Sequence, residues 1–308
     1  MFSVIFPGQG SQLIGMGQEF YDKYQSVKDL YKEANDILSF DISRMIMEGP
    51  KIDLDLTINT QPAIFLVSYS IFHTIKKEHN INLNNGKFFA GHSLGEYSAL
   101  CCAGYLKFSD TLKILRLRGE AMQNSVPEGE GGMLAILGST TDNIEQILND
   151  NQKTFTAQIA NDNSNGQMVV SGNLNDLNKL INLLKEKSIK NIKLPVSAPF
   201  HCSLMNKATE TMRNHLHDLN FQSGINTLIS NVTANEVSDH NKIKDLLVQQ
   251  IENRVRWRES VIYMIENNVN KFIEIGPGKV LSGLIKRINK QVKVISINSE
   301  DDIKTLEI

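Results

Sequence analysis

No stretch of this sequence stays apolar for anything near the roughly 20 residues that a membrane-crossing helix needs. No segment repeats and none is of low complexity. The N-terminus runs directly into a strand-like segment. It has no basic region followed by a long apolar run and a small-residue cleavage site, so no secretory signal is expected. Cysteine is scarce: of three, Cys101 and Cys102 are adjacent and Cys202 is distant. This pattern does not make a disulfide framework, and the cysteines and histidines do not fall at zinc-ligand spacing, so no metal site is expected. An excess of charge of one sign is lacking too. A net charge of −2 gives no general field for nucleic acid. These absences leave a cytoplasmic globular protein as the expectation, with neither membrane nor nucleic acid as a partner, and a monomer is the default.

What is present fits that class. Hydrophobic residues make up 41% and charged residues 21% of 308, enough for a full core and long for one simple layer. A strand over 2–6 stops at Pro7-Gly8-Gln9-Gly10, and a helix is expected over 61–77 with Pro62 in its first turn. A second strand, 87–90, leads into Gly91-His92-Ser93-Leu94-Gly95, followed by helices over 96–103 and 109–124. Strand, sharp turn, helix is the order of an α/β domain with a mainly parallel sheet. The breaker-rich run from Val126 to Gly132 then opens a different pattern. Strand 133–137, helix 141–150, strand 155–160, a turn over 161–166, strand 167–171, helix 174–187 and strand 192–196 give β-α-β-β-α-β, the ferredoxin-like order. Alternating elements resume after His201 and end with strand 271–275, helix 280–289 and strand 292–297. The sequence therefore predicts a large α/β domain over 1–125 and 198–308, with a ferredoxin-like subdomain inserted over 126–197.

The glycine-flanked serine fits G-x-S-x-G, the nucleophile elbow. Its glycines permit a tight strand-to-helix turn that lifts the hydroxyl of Ser93 clear of the backbone. The helix that follows aims free N–H groups at a developing oxyanion. A serine needs a base. Of seven histidines, His73, His79, His215, His217 and His240 read as surface or core, and His92 lies within the elbow. His201 differs, because it follows Pro199-Phe200 where the inserted segment ends, and clefts form at such seams. A third, acidic member such as Asp110 or Glu120 stays open, since a triad is spatial and not sequential. Two other signals fail. Leu13 stands where the third glycine of a dinucleotide fingerprint would be, and Gly276-Pro277-Gly278-Lys279 lacks P-loop spacing.

Three separated motifs, in order, carry a resemblance: Pro7-Gly8-Gln9-Gly10-Ser11-Gln12, Gly91 to Tyr97 through Ser93, and Pro199-Phe200-His201. Together they resemble the malonyl-CoA:acyl carrier protein transacylases and the acyltransferase domains of fatty-acid and polyketide synthases. The likeness continues through Val248-Gln249-Gln250 and Ile275-Gly276-Pro277-Gly278 and covers essentially the whole chain. It implies an α/β-hydrolase-like fold and a Ser93–His201 dyad that carries malonyl from malonyl-CoA to acyl carrier protein. It also implies an oxyanion hole from the backbone N–H groups of Gln9 and Leu94, and a backbone carbonyl at Gln250 that orients His201. Arg118 would grip the malonyl carboxylate, for which a guanidinium fork is suited. Met122, Asn161, Asn163 and Phe200 would complete the substrate site, and no cofactor is implied. An esterase or thioesterase, a polyketide-pathway acyltransferase and a silent carrier-binding module are the competing readings.

Overall fold

The computed structural model describes residues 1–196 and 198–306. At its centre lies a six-stranded sheet in the order β10-β9-β1-β2-β7-β8. Strand β1 (Phe2–Phe6) is buried at all five positions, as a strand covered by helices on both faces must be. It pairs in parallel with β2 (Phe88–Gly91) on one side and β9 (Lys271–Ile275) on the other. Strands β10 (Lys293–Ile297) and β7 (Thr227–Ile229) extend the parallel set, and only the two-residue β8 (Glu236–Val237) runs antiparallel. The expected mainly parallel sheet is therefore present.

Four helices absent from the sequence reading follow β1: α1 (Gln18–Lys23), α2 (Gln25–Leu38), α3 (Ile42–Glu48) and α4 (Lys51–Leu54). Helix α5 (Thr57–Lys77) starts four residues earlier than expected, so Pro62 sits in its second turn instead of its first. The missing N–H of Pro62 leaves the Ile58 carbonyl without its helical donor. Arg116 Nη1 supplies the bond instead at 3.1 Å. Helix α5 is buried on nearly every side and packs between the small helices and α7 (Phe108–Gln123). Helix α6 (Leu94–Cys102) leaves the sheet at the end of β2 and is buried along its whole length.

Strands β3 (Gly131–Leu137), β4 (Ala157–Ser164), β5 (Gln167–Asn173) and β6 (Lys190–Lys193) form a second sheet in the order β4-β5-β3-β6, antiparallel throughout. Helices α8 (Thr141–Asp150) and α9 (Leu174–Glu186) connect it, and their apolar faces share a separate core with this sheet. The strand order is that of the β-α-β-β-α-β unit. The expected turn over 161–166 is a correction: β4 continues to Ser164, leaving only Asn165 and Gly166 in the turn. The last strand also lies earlier than the expected 192–196.

The remaining helices are α10 (Asn206–Asp218), α11 (His240–Gln250), α12 (Trp257–Glu266), α13 (Val280–Ile288) and α14 (Glu300–Ile303). Two devices join the sheets. Val255, just before α12, exchanges backbone hydrogen bonds with β4, from Val255 N to Ala160 O (2.8 Å) and from Asp162 N to Val255 O (3.0 Å). The fully buried Asp162 then takes a two-point grip from Arg258 of α12, with Nη2 at 2.8 Å and Nε at 3.0 Å.

Candidate active site

The turn between β2 and α6 is tight because two glycines allow it. A Cβ on Gly91 would lie 2.0 Å from the Gly95 carbonyl, and one on Gly95 would lie 2.3 Å from the carbonyl of Phe6. Ser93, at the apex, has φ 53° and ψ −111°, a conformation that costs a non-glycine residue about 1–3 kcal/mol. Asn231, just past β7, clamps it. Its Oδ1 accepts from Ser93 N (2.8 Å), and its Nδ2 donates to Gly91 O (2.7 Å).

The loop after β1 lies directly on this turn, since a Cβ on Gly8 would meet the His92 carbonyl at 2.5 Å. Gln9 is thereby held beside the elbow, and its side chain donates to Thr57 Oγ1 (3.2 Å). Leu94 is the first residue of α6, so its N–H has no acceptor within the helix. Leu94 directly follows the serine.

His201 comes from the far side of the seam. Gly131 opens β3 against the ring of Pro199, where a Cβ would stand 2.4 Å from Cδ, and Ser171 of β5 donates to the Phe200 carbonyl (2.6 Å). The chain thus fixed delivers a buried imidazole at φ 58°. Its Nδ1 donates to the Gln250 carbonyl (2.7 Å), so Nε2 is the acceptor and takes the Ser93 Oγ–H at 2.8 Å. The orienting group is therefore a carbonyl, which leaves no such part for Asp110 or the exposed Glu120. Burial and the nearby Arg118 charge push the imidazole down to about 3, so His201 is neutral and free to accept a proton.

Arg118, from α7, is 1% exposed. Its Nη2 donates to Ser93 Oγ (3.1 Å) and to Gln250 Oε1 (2.8 Å), and its Nη1 donates to Gln61 Oε1 (2.8 Å). The guanidinium lies 5.4 Å from the centre of the Tyr97 ring, and Nε has no partner among the described residues. No described carboxylate is within ion-pair distance of this buried cation. Burial lowers its proton affinity, though an arginine stays charged at any working pH.

The other expected site residues divide. Asn163 joins the elbow, accepting from His92 Nε2 at 2.8 Å, and Asn161 bridges to Val255; both lie in β4, and the predicted turn placement is wrong for both. Met122 is buried behind Gln61, whose Nε2 lies 3.8 Å from its sulfur. Phe200 is buried in the main core beside the base. Four residues with no role assigned from sequence also enter: Gln61, Glu96, Asn231 and the side chain of Gln250. Gln250 Nε2 donates to Glu96 Oε2 at 2.6 Å. Glu96 could have been flagged as an acid in the first turn of α6, but that position usually signals only a favourable helix dipole. Among the described residues no cluster of three or more His, Cys, Asp or Glu could hold a metal, and no helix is long and apolar enough to cross a membrane.

A serine hydroxyl, a neutral imidazole and a buried guanidinium thus meet at one point. The family description "Acyl transferase domain" matches residues 3–307. The chain belongs to the acyltransferase family. It is 41% identical over 302 residues to the malonyl CoA-acyl carrier protein transacylase of Bacillus subtilis, covering 97% of this chain and 94% of that one. The crystal structure of the acyl-carrier-protein-S-malonyltransferase from Bartonella henselae superposes with a TM-score of 0.96 at 42% identity, covering 99% and 97% of the two chains. A malonyl-transacylase solved in complex with its type II polyketide acyl carrier protein superposes with a TM-score of 0.94 at 34% identity, covering 99% and 98%. Within this acyltransferase family, the likeness spans both sheets and the seam between them.

Proposed function

We propose that the chain transfers the malonyl group of malonyl-CoA to the phosphopantetheine thiol of acyl carrier protein, through a malonyl ester on Ser93. The observation that carries this reading is Arg118: a buried guanidinium touching the nucleophile, with no described carboxylate as partner. A buried cation without a counter-charge is costly, and a substrate carboxylate offsets that cost.

In the first half-reaction Ser93 Oγ adds to the thioester carbonyl as its proton passes to His201 Nε2. The oxyanion faces the N–H groups of Gln9 and Leu94. Collapse expels the coenzyme A thiolate, which takes the proton from His201. In the second half, the carrier thiol gives its proton to His201 and attacks the ester, and Ser93 leaves with that proton. These steps use only groups of this chain, so the reading assigns no cofactor and no metal. Met122, Phe200, Asn161 and Asn163 are assigned to the substrate cleft, which lies between the 126–197 insert and the rest of the chain. The protein is read as a cytoplasmic monomer with no nucleic-acid or membrane partner.

The test is direct. Incubation with malonyl-CoA and no acceptor is expected to leave one malonyl group on Ser93, mapped by intact mass and peptide mass spectrometry. Label on another residue, or full labelling of Ser93→Ala, would overturn the assignment. Release of the label to water in preference to carrier protein would make the chain a hydrolase.

A further inference from the structure

Glu96 is the third residue of α6, where a carboxylate commonly caps its own helix and faces water. Here it is 3% exposed and turned into the protein. A buried carboxylate needs partners, and among the described residues no lysine or arginine is within ion-pair distance. Its partners are two amides. Gln250 Nε2 donates to Oε2 at 2.6 Å, and the backbone N–H of Asn231 donates to the same oxygen at 3.2 Å.

The Gln250 amide is held with fixed polarity. Its oxygen accepts from Arg118 Nη2 at 2.8 Å, and its nitrogen donates to Glu96. A flipped amide would point its N–H₂ at the cation and its oxygen at the carboxylate, so Glu96 and Arg118 together forbid the flip. The same residue supplies the main-chain carbonyl under His201 Nδ1. Asn231, the other partner of Glu96, clamps the backbone of Ser93. One carboxylate thus sits behind the acyl-binding arginine, the base and the nucleophile.

We propose that Glu96 is a positioning residue for this transfer: through Gln250 it aligns the Arg118 fork and the carbonyl that orients His201, and its charge tunes how strongly Arg118 attracts an acidic acyl group. The inference rests on the assignment of Ser93, His201 and Arg118 made above. Arg118 from α7 is the charged group that acts on Glu96, and Tyr97 from α6 is the titratable group that burial and, in turn, Glu96 push up. From α11 and the segment after β7 come the neutral Gln250 and Asn231. Burial pushes the Glu96 carboxyl up to about 7, against the pull of Gln250, Asn231 and Arg118. As pH rises through that value the carboxylate ionises and opposes a second negative charge at Arg118. As pH falls, that opposition is removed.

The experiment compares Glu96→Leu and Glu96→Gln with the native chain, using malonyl-CoA and acetyl-CoA with carrier protein from pH 6 to 8.5. Folding is checked by near-ultraviolet circular dichroism and thermal melting. Leucine removes the acceptor, and the resulting misplacement of active groups is expected to cost malonyl transfer about 100-fold. Acetyl transfer should lose less, since it uses the His201 alignment without the Arg118 grip. Glutamine keeps an acceptor for Gln250 and should restore most of kcat. In the native chain the malonyl-to-acetyl ratio of kcat/KM should rise as pH falls through about 7, and in Glu96→Gln it should be flat. A folded Glu96→Leu protein within twofold of native overturns the proposal, as does a Glu96→Gln ratio with the native pH slope. If leucine prevents folding, the pH slope of Glu96→Gln still decides. Ser93 labelling and the Arg118→Ala selectivity test the underlying assignment separately, so failure of one does not mimic failure of the other.

Discussion

Replacing Arg118 by alanine tests the selectivity argument most sharply. A malonyl carboxylate entering this cleft leaves water for a site where Arg118 is the charged donor at the nucleophile, 3.1 Å from Ser93 Oγ. The guanidinium is 1% exposed, so solvent screening is weak and water cannot replace it without opening the core. Truncating one partner of such a desolvated, hydrogen-bonded pair costs roughly 2–5 kcal/mol, or about 30- to several-thousand-fold in kcat/KM. Alanine also strands the acceptor oxygens of Gln61 and Gln250, which now take the guanidinium N–H groups at 2.8 Å each. That second cost falls on the scaffold and is common to every substrate. Acetyl-CoA has no carboxylate to lose, so only the common part applies to it. The malonyl-to-acetyl ratio of kcat/KM should therefore collapse by at least about 30-fold in Arg118→Ala. Arg118→Lys should recover a minor part, because an ammonium cannot form two parallel bonds to a carboxylate. The assay is carrier-dependent transfer with both thioesters, in proteins matched for melting behaviour. Equal loss on both substrates in a well-folded Arg118→Ala protein would refute the reasoning and make Arg118 a structural residue.

Three further outcomes follow from the geometry. Because burial holds His201 at about 3, far below an exposed imidazole, the acid limb of malonyl kcat/KM should not appear near the usual histidine value; a limb at 6–7 would refute this. The sign is the same for stability: the contribution from a neutral His201 is complete above its unfolded value, near 6.5, and is lost as pH falls toward 3. Asp162→Asn breaks the grip of Arg258 across the seam, and because Arg258 is 26% exposed and can be rehydrated, the expected loss is about 1–3 kcal/mol in urea unfolding. An unchanged midpoint would show that backbone pairing at Val255 suffices. Arg287 and Lys290 are exposed around the end of α13, where Arg287 also reaches Gln167 of the small sheet. Arg287→Glu with Lys290→Glu should slow carrier-dependent turnover at low salt and flatten its salt dependence if an acidic carrier docks there, leaving Ser93 labelling by malonyl-CoA intact.

The sequence patterns that survived were those governed by local rules. The elbow needed only its two glycines, a preceding strand and a following helix, and the β9 limits at Lys271–Ile275 followed from an apolar run closed by Gly276 and Pro277. Local rules also explain the errors. Asn161, Asp162, Asn163, Asn165 and Gly166 have turn chemistry, yet β4 runs on to Ser164. Two of the polar side chains there have distant partners: Asp162 has Arg258, and Asn163 has His92. Tertiary pairing overrode a preference that local sequence expresses strongly. The start of α5 was missed for a related reason. Pro62 normally marks a first turn, but Arg116, 58 residues away from Ile58 in sequence, repairs the carbonyl that the proline leaves open.

The same contrast explains which parts of the site were visible. Ser93 and His201 stood in recognisable motifs, as did the Gln250 carbonyl under His201, whereas Asn231 and Ser171, which hold the backbone at these two residues, did not. Both residues have positive φ, at 53° and 58°, and neither is glycine. Strain of that kind persists only where surrounding contacts over-determine the backbone. Asn231 does this for Ser93, holding the backbone from both ends of the turn across a separation of 138 to 140 residues. For His201 the fixed points are the Phe200 carbonyl held by Ser171 of β5 and the imidazole held by Gln250. One strained residue is therefore anchored to the large sheet, and the other is anchored partly to the small one. Their 2.8 Å contact depends on how the two sheets are joined. Long-range contacts such as those of Asn231 and Ser171 have no period and no spacing, so nothing in the linear pattern announced them. A change at Asp162 or Val255, neither of which touches the dyad, should lengthen that contact before it unfolds either sheet.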